Sequence, residues 1–313
     1  MSPMRAPVTV RRDDLPTAVT IWEVGARDGL QNESTVIDTA TKIEFIDRLA
    51  ACGLTIVEAT SFVRPDRIPQ LADAAEVMAG ITRAPGVRYP VLVPNERGLD
   101  NAVASGVGEI AVFASATDTF AQRNLGRPMA DQMAMFTPTI SRARELGLPV
   151  RGYVSMCFGD PWEGAVDPGQ VIAVVGDLVS AGCTEVSLGD TIGVATAGQV
   201  TALLAGLVAS GVPIDVIGVH FHDTYGQALA NTLSALGSGV TTVDSSAGGL
   251  GGCPYAESAT GNLATEDLVW MLDGLGIHTG VDLGALIDTS AWMAGKLGRP
   301  PVSRVVQALA PRF

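Results

Sequence analysis

An apolar, β-rich run followed by a stretch of helical spacing recurs eight times in this chain, and that rhythm limits the fold more than any single motif does. The runs are "VTIWEV", "TIVEATSF", "RYPVLVPN", "EIAVFASA", "VRGYVSMC", "EVSLGD", "VIGVHFH" and "TTVDSS". Between them lie segments such as "TATKIEFIDRLAACG", where Ile43, Ile46 and Leu49 recur at three-residue spacing. Gly53, Gly106, Gly147, Gly182, Gly211 and Gly239 stand where such helices should stop, because glycine accepts the left-handed conformation of a helix C-terminus.

Eight strand–helix alternations over about 250 residues, with no linker between them, predict an α/β fold, a TIM (β/α)8 barrel. Residues 18–285 form the barrel in this reading, and 286–313 a short helical C-terminal extension. The competing architecture is an open doubly wound sheet. Against it, the first strand runs into "EVGARDG" rather than a GxGxxG turn. The chain has 313 residues, 47% of them hydrophobic and 5% aromatic, enough for one large core of small aliphatic side chains.

A net charge of −13 argues against nucleic acid as a partner, which needs a basic face. Short, interrupted apolar runs predict no membrane span, and the N-terminus reads as neither signal nor transit peptide, so the expected compartment is the cytoplasm. The four cysteines lack any CxxC pairing, which leaves a disulfide framework without support.

A barrel of this kind gathers its reactive groups at the C-terminal ends of its strands. Arg27 and Asp28 follow the first strand, and Glu58 sits in the second. Arg151 and Tyr153 lie on the fifth, Asp190 ends the sixth, and His220 and His222 end the seventh. Residues two apart on a strand share a face, so both imidazoles of "HFHDTYG" point into the barrel if Phe221 packs outward. Two of the chain's three histidines on one strand face suggest a metal site, with Asp28 as the charged oxygen donor and an amide or water completing it. Without thiolate, that set suits Mg²⁺ or Mn²⁺ better than a structural zinc. His278 has no such company and reads as structural.

After the eighth strand, "SSAGGLGGCPYAESATGNLATEDL" places Cys253 behind four glycines, where a thiol could swing over a substrate. Asn262 is either an amide ligand or the cap of the next helix; Thr265, Glu266 and Asp267 fit capping and helix-dipole logic.

Taken together, "EVGARDGLQNE", "RGYVS", "SLGDTIG", "HFHDTYGQALANTL" and the glycine loop with Cys253 closely resemble the 3-hydroxy-3-methylglutaryl-CoA lyase family. The RDG turn and the HxH strand are shared with metal-dependent aldolases and acyltransferases of the same barrel superfamily. The resemblance implies a divalent cation on Asp28, His220, His222 and Asn262. It implies Arg27 at the substrate's thioester carbonyl, Cys253 as a mobile thiol in proton transfer, and Glu58 and Asp190 as active-site carboxylates. Arg151 and Tyr153 are further substrate-binding candidates. The hydroxyl proton goes to His220, Asp190 or a water between them, a choice left open.

The reaction implied is cleavage of (S)-3-hydroxy-3-methylglutaryl-CoA to acetyl-CoA and acetoacetate. Two other reactions stay open: the same chemistry on a longer 3-hydroxy-3-alkylglutaryl-CoA, and a Claisen-type acyl transfer to a 2-oxo acid. The partner expected is an acyl-CoA, with a homodimer allowed. Ala26, and Ala247 with Gly248, depart from the family's usual proline and valine–alanine.

Overall fold

The computed structural model describes residues 6–252 and 261–310. Eight parallel strands are present: β1 Thr20–Glu23, β2 Thr60–Ser61, β3 Val91–Leu92, β4 Ile110–Ser115, β5 Val150–Ser155, β6 Glu185–Asp190, β7 Ile217–Phe221 and β8 Thr242–Ser245. Each lies inside one of the eight runs read from the sequence. They pair in the order β1-β8-β7-β6-β5-β4-β3-β2. The ring closes between β1 and the approach to β2, where the Glu58 N–H donates to the Glu23 carbonyl at 2.8 Å and Glu23 bridges Val57. This is a TIM barrel.

Alternation along each strand sets the layers. Val150 and Val154 of β5, Val186 and Leu188 of β6, and Val219 and Phe221 of β7 belong to the main apolar cluster, shared with helix residues such as Leu178 and Leu204. Phe221 therefore packs outward, as the HxH reading requires. All six glycines expected at helix ends have positive φ, between 66° and 109°. Gly182 is the left-handed cap of the helix Pro168–Ala181.

Inside the barrel the residues differ in kind. Trp22, Glu58, Arg151, Ser187 and Asp244 are all buried there, where barrels of this architecture are filled mainly by branched aliphatics. The strands are thus less uniformly apolar than a sheet covered on both faces by hydrocarbon.

The helix Leu283–Leu297 spans the 285/286 division drawn from sequence. It packs against the helix Thr39–Ala51, and Arg299 beyond it pairs with Glu33 near the end of the RDG turn. His278 bridges Ala18 at the start of the barrel through backbone bonds, away from the site. Among the described residues no helix is long and apolar enough to cross a membrane.

Candidate active site

Strand β1 ends in a π-helical turn, Gly25–Gly29, closed by a bond from the Gly29 N–H to the Val24 carbonyl at 3.1 Å. Such turns are rare and cluster at functional sites, since the extra residue re-aims side chains. Both glycines are needed for space. A Cβ at Gly25 would lie 2.6 Å from Glu23 Oε1, and one at Gly29 would lie 2.8 Å from Ser246 Oγ. The turn is thereby pressed against the segment after β8, and Arg27 and Asp28 are delivered over the barrel mouth.

There the sequence candidates meet. Asp28, His220 and His222 offer ligand atoms that all lie within 4.8 Å of one another. Asn262 bridges His222 through the backbone and donates from Nδ2 to Asp28 Oδ2 at 2.9 Å and to the Leu250 carbonyl at 3.0 Å. It does not cap the following helix, whose N-cap is Ala264. Among the described residues, Asn262 Oδ1 and His222 Nδ1 are buried with no hydrogen-bond partner, a costly state that a cation resolves. Two imidazoles, a carboxylate and an amide oxygen form a donor set that fits a divalent ion.

The charges suit that role. Burial would raise Asp28, but Arg27 and the two imidazoles outweigh it and hold the carboxyl near 2. Burial, with His220 close by, lowers His222 to about 4, so its ring is neutral at physiological pH. His220 moves the other way: burial opposes its charge, yet the hydrogen bond and charge of Asp244 raise it.

Arg27 sits beside this cluster. Its Nε donates to Glu58 Oε1 at 2.8 Å and its Nη1 to Asp28 Oδ1 at 2.6 Å, while its guanidinium lies 5.3 Å from the Tyr153 ring. Glu58 also accepts from Trp22 Nε1 at 3.3 Å and from the Tyr153 hydroxyl. Glu58 therefore aims Arg27, and Arg27, Tyr153, His220 and His222 line a cavity of about 660 Å³. Arg64, Arg67 and Arg123 line the same cavity.

Two candidates fall elsewhere. Arg151 does not line the cavity. It is 1% exposed, its Nη2 donates to Asp244 Oδ1 at 2.7 Å, and its guanidinium stacks 3.9 Å from the Trp22 ring. Its Nε lies 2.7 Å from Glu185 Oε1, aligned as an ion pair but not as a hydrogen bond. A position early on β5 puts it below the mouth, which counts against substrate contact. Asp190 shares the outward register of Val186 and Leu188. Its oxygens accept from the Val194 and Ala195 N–H groups at 2.9 and 3.1 Å, and burial raises it to about 6. It shapes the loop after β6 and stands close enough to His220 for the two charges to interact. Cys253 lies outside the described residues.

Among the buried acids, three hold roles near the site that sequence reading missed. Asp244 is one. The others are Glu23, which accepts from the Gly25 and Ala247 N–H groups and the Thr265 hydroxyl, and Glu266, which accepts from the Gly248 N–H and the Ser290 hydroxyl. Thr265 and Glu266 are thus not capping residues but the far anchors of the glycine segment. The signal was available for Asp244: it is the one acid in "TTVDSS", on the inward register of that strand.

The HMGL-like family profile matches residues 18–293. Bovine "Hydroxymethylglutaryl-CoA lyase, mitochondrial" is 50% identical over 308 residues, covering 98% of this chain and 94% of its own. The crystal structure of hydroxymethylglutaryl-CoA lyase from Pseudomonas aeruginosa superposes with a TM-score of 0.92 at 50% identity, covering 95% of this chain and 98% of that one. An HMG-CoA lyase from Acinetobacter baumannii, solved with coenzyme A and 3-methylmalate, superposes with a TM-score of 0.89 at 36% identity, covering 96% and 97%. With a profile that matches residues 18–293 and a relative 50% identical over almost the whole chain, this protein belongs to the HMGL-like family.

Proposed function

We propose that the protein is a hydroxymethylglutaryl-CoA lyase, which cleaves the C2–C3 bond of (S)-3-hydroxy-3-methylglutaryl-CoA to give acetoacetate and acetyl-CoA. The observation that carries this reading is the Asp28–His220–His222 cluster with Arg27 alongside, all lining one cavity of about 660 Å³. Asp28, His220, His222 and Asn262 would hold a divalent cation, Mg²⁺ or Mn²⁺ by the hardness of the donors. When bound, the ion supplies Lewis-acid polarisation of the C3 hydroxyl.

The remaining work falls to the chain. A base, drawn from His220, Asp190 or a water between them, takes the C3 hydroxyl proton. The C2–C3 electron pair then moves onto the thioester as an enolate while C3 becomes the ketone of acetoacetate. Arg27, held by Glu58 and kept charged by its two carboxylate neighbours, faces the charge that develops on the thioester oxygen. Protonation of the enolate carbon completes acetyl-CoA, and Cys253 is the donor the resemblance favours. Arg64, Arg67 and Arg123, three cations lining the cavity of a chain with net charge −13, suit the phosphates of an acyl-CoA.

The test is direct. Purified protein with (S)-3-hydroxy-3-methylglutaryl-CoA and Mg²⁺ or Mn²⁺ should yield equimolar acetoacetate and acetyl-CoA, and EDTA should abolish both. Metal-independent turnover, or none, would sink the assignment. A higher kcat/KM on a longer 3-hydroxy-3-alkylglutaryl-CoA would keep the chemistry and change the substrate.

A further inference from the structure

Beneath the metal site lies a second, fully buried group of polar side chains. Asp244 on β8 stands opposite His220 on β7 in strand register, and its side chain has no exposure to solvent. It has three partners. Oδ1 accepts from Arg151 Nη2 at 2.7 Å; Oδ2 accepts from Ser187 Oγ at 2.9 Å and meets His220 Nδ1 at 3.1 Å. Arg151 is itself clamped between the Trp22 ring at 3.9 Å and the Tyr153 ring at 5.0 Å. The neighbouring β7 position is Gly218, where a Cβ would come within 2.6 Å of Arg151 Nη2. The space for the guanidinium is made by deleting a side chain.

From this geometry we infer that Asp244, locked by Arg151 and Ser187, is a positioning residue that sets the tautomer and ring angle of His220. An ionised carboxylate only accepts, so the imidazole must present N–H at Nδ1. That leaves the lone pair at Nε2, which faces Asp28 Oδ2 at 3.9 Å, the distance of two donors that share a cation rather than bond to each other. Carboxylates behind ligating histidines fix the tautomer and raise ligand basicity in metal sites generally. Arg151, expected from sequence to touch substrate, acts here two side chains below it. The same arrangement narrows the base left open above: with Nδ1 donating to Asp244 and Nε2 facing the cation site, His220 would have no nitrogen free for the hydroxyl proton, which leaves Asp190 or a water.

The inference rests on the metal site proposed above and is independent of which substrate is cleaved. Only three histidines occur in the chain, so ¹⁵N-histidine NMR can be assigned with single His variants. In metal-free wild type at alkaline pH, where neutral rings report their tautomer, His220 should carry its proton on Nδ1. Asp244→Asn turns an acceptor into an amide whose N–H₂ faces the ring once its oxygen serves Arg151. The His220 proton should then move to Nε2, as when an orienting Asp beneath a His is made Asn. Mn²⁺ affinity, read by EPR without substrate, should fall roughly 10–100-fold. Ser187→Ala removes one bond to the same oxygen without imposing a donor, and should stay within about threefold of wild type.

An Nε2-protonated His220 in wild type overturns the inference, and does so even if Asp244→Asn fails to fold. So does an Asp244→Asn protein that is folded and binds Mn²⁺ as wild type does. A protein that passes these tests yet releases no acetoacetate leaves the inference standing and removes the proposed reaction instead.

Discussion

The two faces of this barrel wall were built by different rules. The outer face, between strands and helices, is aliphatic: Val150, Val154, Val186, Leu188, Val219 and Val243 are fully buried against helix side chains such as Leu178, Leu204 and Leu236. The inner face, from the same strands one residue out of phase, carries Glu58, Arg151, Tyr153, Ser187, His220 and Asp244, joined in hydrogen-bonded and ion-paired networks. The outer face gives stability through area removed from water. Buried ion pairs give little net stability, since desolvation offsets their attraction. The inner network is thus better understood as geometry: each charge there orients the one above it, up to Arg27 and His220 at the mouth.

Substitutions on the two faces should separate activity from stability. The largest effect is expected from Arg27→Gln. Turnover should drop by a factor of about 100–1,000, the loss typical of one preorganised donor to a developing oxyanion. Far-UV circular dichroism should be unchanged, and Mn²⁺ binding retained. A variant that keeps full kcat would mean that charge at position 27 serves only to neutralise Glu58 and Asp28.

On the outer face the pattern should invert. Leu178 is fully buried in the helix Pro168–Ala181 and covers Gly152 of β5, whose Cβ position would lie 3.0 Å from its Cδ1. Leu178→Ala should cost about 2–5 kcal/mol in denaturant unfolding through transfer and cavity terms. At a temperature where the variant stays folded, kcat should match the parent's. A large fall in kcat at full folding would show that the faces are coupled.

These faces were unequally legible in the sequence for a physical reason. Outer residues answer to a local rule, period-two hydrophobicity, and the glycine helix stops answer to another; both can be read within a ten-residue window. The HxH pair was readable because its own strand register places both rings on one side. The roles of Arg151 and Asp244 were not readable in that way, because they are set by partners on other strands. Arg151 sits 93 residues from Asp244, and Asp190 lies one register step away from the face its neighbour Gly189 lines. Sequence placed Arg151 and Asp190 on strands that build the site and passed over Asp244; only the fold says which layer each occupies.

Gly218→Ala probes the boundary between the two behaviours at smaller amplitude. The added methyl must displace Arg151 Nη2 from 2.6 Å, an overpacking cost of about 1–3 kcal/mol. Because Arg151 supports Asp244, thermal stability and Mn²⁺ affinity should fall together. Loss of stability alone would confine Arg151 to packing.

The outer layer also carries a polar seam after β8, and it yields the smallest and most specific expectation. Glu23 and Glu266 lie buried on either side of Ala247–Gly249, and together they hold the segment after β8 by its backbone N–H groups. Burial is the main cause that raises Glu23 to about 7 and Glu266 to about 8, from an ordinary 4.5. Between 4.5 and those values the folded protein keeps protons that the unfolded chain has released, so stability must decline as pH rises. The contribution is fully present below 4.5 and is lost as pH passes through 7 for Glu23 and 8 for Glu266. Glu266→Gln keeps a carbonyl oxygen for the Gly248 N–H and removes one of the two ionisations. Its Tm measured from about pH 5 to pH 8 should fall less steeply than the parent's, by a few degrees at the alkaline end. A parent slope that survives the substitution would mean that Glu266 ionises as an ordinary carboxylate despite its burial. The seam would then be held by charge at neutral pH, as the inner face is, and the distinction between the two faces would end at the barrel's rim.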